Sequence, residues 1–133
     1  MKIIVSFMKN ILSFLMPDSS SNGKEDYKSI SPVEIMNLLK GDSSKAEYIL
    51  LDVRSGDGST IIPRSVEIPL KEIERKFGQL DFDKTIIVYC RSGVRSREAS
   101  KKLYNLGAKN VVNMDGGILA WERAGGSVIN KFQ

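Results

Sequence analysis

Short apolar runs alternate with segments of helical period along this chain, and that alternation limits the fold more than any other feature. EYILLDVR, KTIIVYC and NVVNM read as strands, with SVEIPL as a brief extended segment between the first two. KTIIVYC is nearly all apolar, as a central strand of a parallel sheet covered on both faces would be. Helical segments separate the runs. SPVEIMNLLKG offers Ser31 as N-cap, Pro32 at the first helical position, Glu34 for a capping box and Gly41 as a stop. LKEIERKFGQL predicts an amphipathic helix ending at Gly78. SREASKKLYNLG predicts another, with Ala99, Leu103 and Leu106 on one side and Gly107 as its cap. DGG reads as a turn and ILAWERAGG as a final short helix. Strands alternating with helices argue for an α/β fold with a mostly parallel sheet. At 133 residues, the expectation is one such domain plus a tail. The chain shows no internal repeat and no glycine fingerprint for a dinucleotide or a P-loop.

In such a sheet, ligands bind at the carboxyl ends of the strands, facing the amino ends of the following helices. The single cysteine, Cys90, is the last residue of the KTIIVYC run, and the next helix is expected to begin near Arg95 or Ser96. Arg91, Ser92, Gly93, Val94, Arg95 and Ser96 therefore bring backbone N–H groups toward one point. Gly93 permits a conformation that a Cβ would resist. Such a loop is an anion nest at a helix amino end. The arginines Arg91, Arg95 and Arg97 crowd around it. The first anion to benefit would be the thiolate of Cys90 itself. An ordinary thiol of pKa ~8.5 is only ~3% ionised at pH 7, and lowering it by ~2 units requires ~2.7 kcal/mol. The alternative is a buried small hydrophobe, a common state for lone cysteines. Packing explains none of the donors that follow Cys90, which favours a reactive thiol.

Two absences narrow the chemistry. There is no histidine, so Ser–His–Asp and Cys–His arrangements are impossible and a His-ligated zinc is excluded. One cysteine builds neither a thiolate metal cage nor an intrachain disulfide, and no metal or other cofactor is expected. The net charge of +4 is modest, and basic residues alternate with acidic ones outside the Cys90 loop. That distribution suits a small anionic ligand and not nucleic acid.

Residues 1–16, MKIIVSFMKNILSFLM, stand apart. At ~100° per residue, Lys2, Ser6, Lys9, Asn10 and Ser13 fall on one arc, and every other position after Met1 is apolar. The segment is shorter than the ~20 residues that span a bilayer, and Lys9 and Asn10 interrupt any signal-peptide core. Three readings stay open: an interfacial membrane anchor, a helix docked on the domain or a partner, or an over-long start with translation beginning at Met8. PDSSSNGKEDY then has the composition of a linker. The chain divides into an amphipathic segment and linker over 1–26 and a domain over 27–133. The expected location is the cytoplasm, with membrane association through residues 1–16 as the alternative.

LLDVRS, IIPRSVEIPL, IIVYCRSGVRS and GGILAWERAG, in that order and at that spacing, resemble a single-domain rhodanese, a thiosulfate-type sulfurtransferase. The resemblance covers Tyr27 to Val128. It implies a five-stranded, mostly parallel sheet flanked by helices on both faces. It also implies double displacement, in which Cys90 takes the outer sulfur of thiosulfate or a similar donor as a persulfide. Cys90 would then pass that sulfur to cyanide, a thiol or a protein acceptor. Arg95, with Arg91, would neutralise the donor's oxyanion end, and the N–H groups from Arg91 to Ser96 would hold the persulfide's charge. Asp52 and Arg54 would support the loop, although Asp52 also reads as a plain loop-capping carboxylate. Trp121 is expected in the core, and Asp115, Gly116 and Gly117 in a tight turn.

The chain departs from the family in SGDGSTIIPRS, which is short and places Ile61 where a histidine is usual and Arg64 where glycine is usual. Rival readings are a non-catalytic binding module of the same fold and a cysteine phosphatase or arsenate reductase. Phosphatases place their arginine sixth after the cysteine. Here Arg95 is fifth and Ser96 sixth, a tighter loop better suited to a sulfur atom than to a phosphate.

Overall fold

The computed structural model describes residues 27–41, 47–56 and 58–132. The amphipathic segment and linker expected over 1–26 lie outside the described residues. In chain order the elements are β1 (Lys28–Ile30), α1 (Pro32–Leu39), β2 (Tyr48–Asp52), β3 (Thr60–Ile61), β4 (Val66–Glu67) and α2 (Ile73–Lys76). They continue with β5 (Thr85–Tyr89), α3 (Val94–Asn105), β6 (Asn110–Met114), α4 (Gly117–Arg123) and β7 (Ile129–Asn130). Five strands form one sheet in the order β1-β6-β5-β2-β4, and every pairing in it is parallel. β3 and β7 form a separate antiparallel pair.

The expected α/β fold is present, and strand periodicity explains how its layers are made. All five residues of β5 are buried. Ile87 and Tyr89 face one side, in a core with Ile35 of α1 and Ile118 and Trp121 of α4. Ile86 and Val88 face the other, in a core with Ile73 of α2 and Ala99 and Leu103 of α3. Cys90 continues that second row, so alternation alone aims its side chain beneath the amino end of α3. Trp121 is 6% exposed and its indole N–H donates to the Ser127 carbonyl at 2.9 Å, a core position as expected.

Local signals hold where they are strong. Ser31 caps α1, its Oγ accepting the Glu34 N–H at 3.3 Å, with Pro32 at the helix start. Three details differ from expectation. The helix expected across 70–80 is a single α turn, α2, between 3₁₀ turns at Leu70–Glu72 and Phe77–Gln79. Gly78 sits inside the second of these, where its backbone freedom weakens a continuing α ladder. α3 begins at Val94, one residue earlier than expected, because Gly93 at φ +101 turns the chain directly into it. β1 is a three-residue edge strand with no sequence pattern of its own, held by β6. Ile61, which stands where a histidine is usual in the family, is a buried residue of β3 paired with Ile129.

Arg64, which stands where glycine is usual in the family, has φ +71, a conformation that glycine adopts readily, and is the only non-glycine residue at positive φ among the described residues. Among the described residues, no helix is long and apolar enough to cross a membrane.

Candidate active site

Cys90 lies one residue beyond β5 and is 3% exposed. The loop that follows folds back over its sulfur. The Gly93 N–H points at Sγ from 3.1 Å and the Ser96 N–H from 3.4 Å. The Ser96 Oγ is also 3.4 Å away. A thiol can donate to that oxygen; once ionised, the sulfur accepts from the hydroxyl instead. Burial pushes the thiol up. Hydrogen bonds from the Ser96 hydroxyl and the N–H groups of Ser96, Gly93 and Ser92 outweigh it and hold the thiol below its ordinary value. Since no histidine exists in the chain, these donors act without a neighbouring base.

The loop's carbonyls are held as firmly as its amides. The Ile118 N–H donates to the Cys90 carbonyl at 2.9 Å, and the Leu119 N–H to the Arg91 carbonyl at 3.2 Å. The amino end of α4 thus clasps the outside of the loop while the amino end of α3 faces the sulfur. The close approach depends on Gly117, at φ +66, where a Cβ would fall 2.3 Å from the Arg91 oxygen and 2.6 Å from that of Cys90. Asp115, Gly116 and Gly117 do form the expected turn, and its function is to bring α4 against the loop.

A cavity of about 530 Å³ opens over Cys90, walled by the loop residues Arg91, Ser92, Val94 and Arg95. Arg54, Thr60, Leu119 and Glu122 complete its sides. Gly93 and Ser96 are not part of that wall. They reach the sulfur from its buried side and leave the open side to an incoming group. Arg91 and Arg95 are exposed at the mouth, with Arg95 Nη1 3.4 Å from Ser55 Oγ. Arg97 is exposed on α3 and is not among the lining residues, so two of the three nearby arginines reach the cavity along with Arg54.

Asp52 and Arg54 form a buried pair beside β5, with Asp52 in register with Tyr89. Arg54 Nη2 lies 2.7 Å from Asp52 Oδ2, and its Nε contacts both carboxylate oxygens at 3.0 and 3.1 Å. Asp52 also accepts the Arg54 backbone N–H at 2.9 Å, so it is both a loop cap and an ion-pair partner. Arg54 passes the restraint on, donating to the Thr60 carbonyl at 2.6 Å and thereby fixing one wall. Tyr89 is fully buried behind it, its hydroxyl 2.7 Å from Ser65 Oγ and accepting the Ile62 N–H at 3.2 Å. Burial pushes that phenol up to about 12.

Residues 31–124 match the family model described as the rhodanese-like domain. This chain belongs to the rhodanese-like family. Among its relatives, YtwF of Bacillus subtilis is 36% identical over 99 residues, 73% of this chain and 92% of that protein. The thiosulfate sulfurtransferase GlpE of Pseudoalteromonas translucida is 31% identical over 100 residues, 74% of this chain and 91% of that one. The crystal structure of a rhodanese-related protein from Thermoplasma volcanium superimposes with a TM-score of 0.67 at 32% identity. It covers 77% of this chain and 98% of that structure.

Sequence reasoning named Cys90, its loop and Arg54 but missed the other lining residues of this rhodanese-like site. Ser59 and Thr60 come from the short connection after β2, and Ile118, Leu119 and Glu122 from α4. The i, i+1, i+4 spacing of the last three was the available signal, since it puts them near one helix face.

The thiol's position has a consequence for stability. An acid group held below its ordinary pKa by folding contributes stability that is full above the unfolded value and lost as pH falls through the folded one. The stability of wild type relative to Cys90→Ser is therefore expected to rise as pH climbs through that window toward the ordinary thiol value. Paired thermal melts across that range check it; a pH-independent difference contradicts it.

Proposed function

We propose that this rhodanese-like protein is a sulfurtransferase that moves a sulfane sulfur from thiosulfate, or a donor like it, to a thiol, cyanide or protein acceptor. The observation that carries the reading is the convergence of the Gly93 and Ser96 amides on Cys90 Sγ, at 3.1 and 3.4 Å. The name of GlpE supports thiosulfate as the donor.

In the first half-reaction the Cys90 thiolate attacks the outer sulfur of thiosulfate. The bond between the two thiosulfate sulfurs breaks, its electron pair leaves with sulfite, and Cys90 carries a persulfide anion. One negative charge stays on the enzyme before and after, so the same loop amides serve both states. No proton moves, and the lack of a histidine base is no handicap. Arg91 and Arg95 attract the dianionic donor at the mouth and stabilise the departing sulfite. In the second half-reaction the acceptor takes the outer sulfur and the electron pair of the persulfide bond returns to Cys90. Asp52 and Arg54 act by position, holding the wall at Thr60.

Intact mass after incubation with thiosulfate tests the reading. Wild type is expected to gain one sulfur atom and to release it to cyanide as thiocyanate, while Cys90→Ser gains none. No adduct from either thiosulfate or a polysulfide, together with turnover of an aryl phosphate, would overturn it.

A further inference from the structure

The cavity over Cys90 is larger and less uniform than a five-atom dianion requires. About 530 Å³ lies within the ~300–1,000 Å³ range of sites for larger organic ligands. Its charges are also of two signs. Arg54 is neutralised by Asp52, which leaves Arg91 and Arg95 as the positive groups of the wall. Against them stands Glu122, the one acidic side chain among the described lining residues. It is exposed, and no described cation pairs with its carboxylate.

Its place on α4 is set by the clasp. Ile118 and Leu119 bind the Cys90 and Arg91 carbonyls, and Glu122 follows them by four and three residues. It therefore stands on the same helix face one turn, ~5.4 Å, farther out from the loop. The wall that holds Glu122 and the sulfur also includes the apolar side chains of Ile118, Leu119 and Val94, the last 65% exposed. A carboxylate one turn beyond the loop-binding end of α4, on a wall that also carries apolar side chains, matches a short methylene spacer ending in a cation.

The two half-reactions meet different fields. The empty site presents Arg91, Arg95, Glu122 and the thiolate, and a dianionic donor is drawn to the arginines. In the persulfide state the outer sulfur extends ~2 Å further into the cavity and carries the negative charge. A cationic group on the acceptor then interacts favourably with both Glu122 and the persulfide.

We propose that Glu122 is a specificity residue that favours acceptor thiols carrying a protonated amine, an inference that rests on the sulfurtransferase reading above. In the step concerned, the acceptor thiol first loses its proton to solvent. Its thiolate then attacks the outer sulfur. The bond from that sulfur to Cys90 Sγ breaks, its electron pair stays on Sγ, and the acceptor departs as a persulfide anion.

The test uses the full chain, loaded with thiosulfate and freed of excess donor. Aminoethanethiol, mercaptoethanol and mercaptopropionate share a two-carbon spacer and differ in the charge of the far group. Time-resolved intact mass gives the rate at which each removes the outer sulfur from wild type, Glu122→Gln and Glu122→Lys. Comparing each variant with wild type for the same thiol cancels the thiols' intrinsic reactivities. An exposed ion pair contributes ~0.2–1 kcal/mol, which is ~1.4–5-fold in rate. Glu122→Gln is expected to slow aminoethanethiol by up to about fivefold relative to mercaptoethanol. Glu122→Lys should widen that loss and speed mercaptopropionate. High salt should erase the differences, which a merely structural role would not do. Equal thiol preferences in all three proteins would overturn the proposal while leaving sulfur transfer intact. Failure of wild type to load from either thiosulfate or a polysulfide would overturn the sulfurtransferase reading and this inference with it.

Discussion

Gly93→Ala is expected to raise the Cys90 thiol pKa by about 1–2 units in a protein that still folds. The glycine sits at φ +101, and its N–H is the nearest donor to Sγ. An added Cβ would meet the Gly116 nitrogen at 3.1 Å, so the loop must either strain or withdraw. A left-handed non-glycine residue costs about 1–2 kcal/mol, which a domain of ordinary stability survives. The local effect is larger than the global one. A hydrogen bond to a charged group contributes about 1.5–3 kcal/mol, and each pKa unit corresponds to about 1.36 kcal/mol. At neutral pH the thiolate fraction, and with it the rate of sulfur loading, would fall, by at most about tenfold for each unit of rise. Cys90 is the chain's only cysteine, so the pH profile of its alkylation reads the pKa directly. A folded Gly93→Ala protein with the wild-type profile would show that the amide does not hold the anion.

The largest loss of stability is expected from Arg54→Ala. Asp52 and Arg54 side chains are 3% and 9% exposed, and the carboxylate takes most of its hydrogen bonds from this one arginine. Removing the guanidinium strands a buried charge, which costs about 3–5 kcal/mol in comparable pairs. The wall at Thr60 would lose its anchor at the same time. Denaturant melts measure the first effect. The combined change Asp52→Leu with Arg54→Met should recover much of that stability, because it leaves no unpaired charge. It should not recover sulfur transfer, since the wall remains unanchored. A loss below about 1 kcal/mol for Arg54→Ala would mean that solvent reaches Asp52 freely.

What the sequence makes legible follows the range of the interactions involved. Ile86, Ile87 and Val88 declare a central strand because burial on both faces is written into consecutive residues. The Cys90 loop is legible for the same reason: donor, glycine and helix start are neighbours in the chain. β1 and the β3–β7 pair are two or three residues long and exist through partners roughly 70 to 85 residues away. Nothing local announces them. The DGG turn was readable as a turn, but its contact with the Cys90 and Arg91 carbonyls spans some 26 residues and belongs to the tertiary fold. Arg64 is the opposite case. Its departure from glycine is visible in the sequence, yet its backbone at φ +71 lies in the region that favours glycine.

The clasp of α4 on the Cys90 loop also gives the chain an optical reporter. Trp121, its single tryptophan, lies three residues after the Ile118 amide that holds the Cys90 carbonyl. The indole is buried in the core that Ile118 of the same short helix also enters, with its N–H fixed to Ser127. Indole emission depends on the polarity and rigidity of its surroundings. A displacement of the loop strong enough to move α4 would therefore register as a change in intrinsic fluorescence, with no dye attached and no second tryptophan to obscure it.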